Sequence, residues 1–80
     1  MVWHIIKRSE NDSCVDIGYS SGKSKECDGL IRFDKASREL NVVRISESSD
    51  KSDTDWLLPH IFTAFRRNDI TDSIRTIAIG

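Results

Sequence analysis

The sequence predicts an α+β domain: one small, mostly antiparallel sheet of four to five strands with a single helix packed on one face, in the order β-β-β-β-α-β. Three observations carry this. The stretch Asp53 to Asn68 (DTDWLLPHIFTAFRRN) repeats its apolar residues at helical period, with Leu57, Ile61 and Ala64 at i, i+4, i+7 and Leu58, Phe62 and Phe65 in the adjacent row. The other apolar residues fall in short runs rich in β-branched and aromatic side chains, separated by polar turns. The length of 80 residues suits one domain, residues 1 to 80, with no linker or second unit.

The elements follow in order. Val2 to Lys7 (VWHIIK) has no breaker and large residues on both faces, which suits a strand covered on both sides. After the polar SENDS, Val15, Ile17 and Tyr19 alternate with Cys14, Asp16 and Gly18 in a half-buried strand. Ser20 to Glu26 (SSGKSKE) is a solvated connection, and Asp28-Gly29 is a turn pair that starts a third strand over Leu30 to Phe33. The spacer DKASRE then leads to a fourth run, Leu40 to Ile45, giving a hairpin. Ser46 to Asp55 contains no apolar residue and reads as a loop.

Either Asp53 or Asp55 can cap the helix. The later start is preferred, because a cap at Asp55 puts Pro59 at the end of the first turn, where its missing N–H costs least. Arg66 and Arg67 place cations at the far end, as the helix dipole favours. Ser73 to Ile79 forms the last strand, with Ile77 and Ile79 on one face. Its near-continuous apolarity predicts a central place beside Val2 to Lys7.

Composition narrows the function classes. A domain of this size hides only about 60% of its unfolded surface, so its core is small. Twelve basic and thirteen acidic residues leave a net charge of −1, without the basic excess that a duplex-binding domain uses to neutralise phosphates. The opening MVWHIIKRSEND is too short and too quickly charged for a signal peptide, and no run approaches the ~20 apolar residues of a membrane span. Cys14 and Cys27 do not make a disulfide framework, so a reducing cytoplasm with free thiols is the expected setting.

Several motifs invite chemistry and fall short of it. Gly18 to Ser24 (GYSSGKS) has three residues between its glycines where a phosphate-binding loop needs four, and no helix follows to supply free N–H donors. Glu47, Asp50, Asp53 and Asp55 are acidic, yet no glycine bends the segment and Lys51 interrupts it, so capping and solvation account for them. His4, His60, Cys14 and Cys27 lie on separate elements without the close pairing of a zinc site. Trp3, Tyr19, Phe33 and Trp56 lack the spacing of an RNA-stacking sheet, and Arg32, Arg38 and Arg44 are interleaved with Asp34 and Glu39.

Two readings remain. The first is a non-enzymatic protein-interaction or regulatory module. Surplus apolar surface, left bare on a second sheet face or an edge, would take a homodimer mate or another protein. The second is a small-molecule-binding or catalytic domain with a pocket between the helix and the 20–26 loop. Its candidates are His60, Cys27 and Asp28. No cofactor is assigned to either reading.

Overall fold

The computed structural model describes residues 2–78. Strands β1 (Val2–Glu10), β2 (Cys14–Ser21), β3 (Gly29–Asp34) and β4 (Glu39–Arg44) precede helix α1 (Lys51–Arg66), and β5 (Arg75–Ala78) follows it. The order β-β-β-β-α-β and the single antiparallel sheet with one helix are those the sequence predicts. The sheet has five strands in the order β4-β3-β2-β1-β5.

Short polar turns close the hairpins. Between β1 and β2 the Asn11 side chain accepts from the N–H groups of Ser13 and Cys14, at 2.7 and 2.9 Å. Between β3 and β4 the Asp34 carboxylate does the same for Ala36 and Ser37, at 2.9 and 3.2 Å. Arg38 closes that turn in the left-handed region, φ 60°, where glycine is the usual occupant.

The alternation of each strand sorts its side chains onto two faces. Trp3, Ile5, Val15, Ile17, Tyr19, Ile31 and Phe33 face α1 and form the core with Leu57, Ile61, Ala64 and the post-helical Ile70. The first of the two helical rows is therefore the buried one. The second row, Leu58, Phe62 and Phe65, is only half-buried at the side of the helix.

Three expectations are corrected. The helix begins a turn earlier than Asp55: Asp50 is the N-cap, accepting from Asp53 N–H at 2.8 Å, which leaves Pro59 inside the helix. The reason is tertiary. Thr54 is wholly buried, and its hydroxyl lies 2.8 Å from the Tyr19 hydroxyl beneath it, so the early turn is fixed on the sheet.

Strand β5 does adjoin β1, but it is an edge of the sheet, and β2 holds the centre. Only four of its residues pair in the described chain, and Arg75 and Thr76 are exposed. Ile79 lies outside the described residues.

The far face of the sheet is also not bare. Arg8, the extra residue of a bulge in β1, donates to the carbonyls of Glu26 and Cys27 at 3.0 and 3.4 Å, which pins the 22–28 loop over β2. Ser20 completes the latch, donating to Ser24 O at 2.6 Å and accepting from Cys27 N–H at 3.2 Å. Beside it Arg32 pairs with Asp16 at 2.7 Å, and His4 Nδ1 meets Thr76 Oγ1 at 2.9 Å.

Candidate functional site

The three residues singled out for a pocket do not converge. Cys27 is part of the far-face loop and is buried against Ser20 of β2, and burial raises its thiol pKa, which disfavours the nucleophilic thiolate. Asp28 is occupied with the loop before the helix: its carboxylate accepts from Ser46 Oγ at 2.6 Å and Glu47 N–H at 3.0 Å. Those bonds, the Ser46 hydroxyl first, hold it below the usual carboxylate range. His60 is exposed on α1, where it borders a depression of about 330 Å³ with Arg67, Arg75 and Ile77.

A depression does lie between the helix and the 20–26 loop, about 300 Å³ in volume, but Val2, Ser21, Gly22, Lys23, Ser48 and Asp53 line it. It contains neither imidazole nor thiol. Among the described residues no three His, Cys, Asp or Glu side chains gather closely enough to hold a metal ion.

A larger concavity lies elsewhere, at the C-terminal end of α1 beside the β3–β4 hairpin. Its volume is about 520 Å³, and its floor is aromatic. Phe33 comes from the last turn-proximal positions of β3, and Phe62 and Phe65 come from the half-buried row of α1. The Phe33 and Phe65 rings are 4.4 Å apart between centroids, and Phe33 and Phe62 are 6.2 Å apart, both pairs tilted. Phe33 is 6% exposed, so its ring is a packed base and the helical rings form the accessible surface.

Lys35, Arg38, Arg66 and Asn68 form the rim. Asn68 is there because α1 ends in a Schellman turn: Asn68 takes φ 58°, its N–H reaches Phe65 O, and Asp69 N–H reaches Ala64 O at 2.9 Å. Lys35 is shared with Glu10 at 2.9 Å. No ion pair to Arg38 or Arg66 forms among the described residues.

The apolar strip continues along the helix. Leu58 precedes Phe62 by one turn on the same row, and Leu40 and Val42 of β4 are likewise half-buried against the core. At the other end Val42, Val43, Ile45, Lys51, Thr54 and Asp55 line a further hollow of about 360 Å³. The strip thus runs between α1 and the free edge of β4.

Sequence reasoning placed these residues in the right elements but not together as a site. The available signal was the doubled helical row: one helix seats only one row squarely on a sheet, so the second must lie at its flank. The chain matches no family model, no curated protein and no solved structure.

Proposed function

We propose that this protein is a non-enzymatic interaction module whose docking surface is the strip between α1 and the β4 edge. It takes an extended segment of a partner protein. The observation that carries the reading is the half-buried row Leu58, Phe62 and Phe65 beside Leu40 and Val42. These side chains are preorganised by core contacts on one side and offer apolar surface on the other, the arrangement in which a few anchors supply most of the affinity.

The free edge of β4 supports it further. Glu39 to Val42 presents unpaired backbone groups over a regular stretch, and the irregularity near Val43 limits how far an added strand extends. The strip offers apolar surface at a sheet edge, one of the two places where the sequence anticipates it. The free thiols of Cys14 and Cys27 support a cytoplasmic setting. No helix among the described residues is long and apolar enough to cross a membrane.

The test is selection of displayed random peptides on the immobilised protein, followed by amide chemical-shift mapping with an enriched peptide. Shifts should centre on Leu40, Val42, Leu58, Phe62 and Phe65, and Leu58→Glu should abolish them. Enriched peptides that instead perturb the Lys23–Asp53 depression or the far sheet face would overturn the assignment.

A further inference from the structure

We propose that the hairpin end of this groove selects acidic segments: the partner presents carboxylates flanking an aromatic or large aliphatic anchor. The inference rests on the docking strip just described and names the chemistry of its occupant. An apolar anchor fits the Phe62 and Phe65 surface, and the rim determines what may stand beside it.

Charge sorting at this end supplies the argument. The net charge of the chain is −1, so a local cationic cluster is not a consequence of composition. Asp34 opposes Cys14 and Glu39 in the sheet register, which places both acids on the face away from α1. Asp34 is further committed to the turn N–H groups of Ala36 and Ser37. On the groove side stand Lys35, Arg38 and Arg66, and Glu10 on Lys35 is the one carboxylate that pairs with them among the described residues. Of the other arginines, Arg8 is engaged with loop carbonyls, Arg32 with Asp16, Arg44 with Asp28 O and Arg75 with Asp69, while Arg67 stands exposed next to Arg66 on the side of α1 that faces β5 and adds to the positive charge at this end of the helix.

Arg38 adds an independent point. It holds the left-handed turn position that glycine fills without strain. Its side chain forms no ion pair among the described residues, so the fold gains little from an arginine there. Single-stranded nucleic acid is the weaker fit, because Phe33 is packed beneath its neighbours and only the half-buried Phe62 and Phe65 rings are left for bases to stack on.

The experiment uses three blocked hexapeptides, EEWLEE, QQWLQQ and KKWLKK, and the oligonucleotide dT8, titrated into the intact protein by fluorescence anisotropy. The expected order is EEWLEE over QQWLQQ by about tenfold at low salt, the product of a few exposed ion pairs, with KKWLKK weakest. The preference should shrink at high salt as those pairs are screened. The double variant Arg38→Glu/Arg66→Glu should reverse the order toward KKWLKK.

Arg38→Gly separates binding from folding, since it should keep or raise the melting temperature while weakening EEWLEE. Equal affinity of the three peptides for the groove overturns the charge selection and leaves the docking strip standing. Absence of any shift at Leu58, Phe62 and Phe65 overturns both. Tighter binding of dT8 than of EEWLEE overturns the acidic partner in favour of a phosphate backbone.

Discussion

Tyr19 shows how one side chain ties several elements together. Its ring lies in the core, and its hydroxyl reaches the loop and the helix at once. Thr54 Oγ1 donates to Asp50 O at 2.7 Å, so the Tyr19 hydroxyl gives its proton to Thr54 and accepts from Ser46 N–H at 3.1 Å. Gly29 makes room for this: a methyl group at its Cβ position would overlap the Tyr19 ring. Tyr19→Phe should cost about 1–3 kcal/mol in urea unfolding, because the buried Ser46 N–H is left without a partner. A loss too small to resolve would mean that water replaces the hydroxyl. Asp28 closes the same knot from the β3 side, and its folded pKa is lowered. A depressed carboxyl pKa adds stability that is complete above the unfolded value, near 4, and lost as pH falls through the lower folded value. Asp28→Asn should therefore lower the melting temperature at pH 7, with the variant and parent curves converging in acid. Parallel curves across that range would show that the carboxylate contributes nothing through its charge. Sequence reading places Asp28 in a turn pair and among the pocket candidates but misses this knot, because its partners Ser46 and Glu47 are eighteen and nineteen residues away.

At the level of elements, period was legible and boundary was not. The apolar runs located every strand and the helix, since burial on a two-layer fold imposes periods near 2 and 3.6 on the residues themselves. The first turn of α1 escaped because its one buried side chain, Thr54, is polar, and because Pro59 argued locally for a later start. Tertiary contact outweighed that local preference. The exposed Pro59 is then a stability reserve: Pro59→Ala restores a helical N–H and should stabilise the domain. The gain should be about 1–2 kcal/mol, the interior proline penalty less the entropy that proline removes from the unfolded chain. Destabilisation would mean that the proline shapes the helix to the sheet. The two apolar rows should also separate. Ile61→Ala removes a wholly buried side chain and should cost about 2–5 kcal/mol, with Phe62→Ala costing less because its ring is half-exposed. Equal losses would place Phe62 in the core and remove it from the docking strip.

Over the whole molecule, strand order and the covering of the far face were not legible, because both depend on pairings that a linear pattern does not encode. VWHIIK carries large residues on both faces, which suggested a bare apolar surface. The structure covers that side with a loop latched by Arg8 and Ser20, residues whose sequence neighbours give no hint of the contact. The groove was equally hidden, since Phe33, Arg38 and Phe65 become neighbours only when the hairpin and the helix end meet. These arrangements bear on self-association. A symmetric dimer through the far face would have to bury Arg32, Asp16 and the 22–28 loop, desolvating charges that now face water. Of the exposed apolar residues, Val2 lies on the far face at the very start of β1, and Val43, Ile45, Trp56 and Ile74 belong to the β4 border, the helix and the loop before β5. The isolated chain should therefore sediment as a 9.1 kDa monomer at concentrations of about 1 to 100 μM, where a standard-size interface would already be populated. Asn41→Arg, which adds charge to the far face beside Arg32, should leave that behaviour unchanged. A concentration-dependent dimer that Asn41→Arg disrupts would make the far face an interface after all. A dimer that survives Asn41→Arg but dissociates with Leu58→Glu would instead show the strip between α1 and β4 occupied by a second copy of the chain.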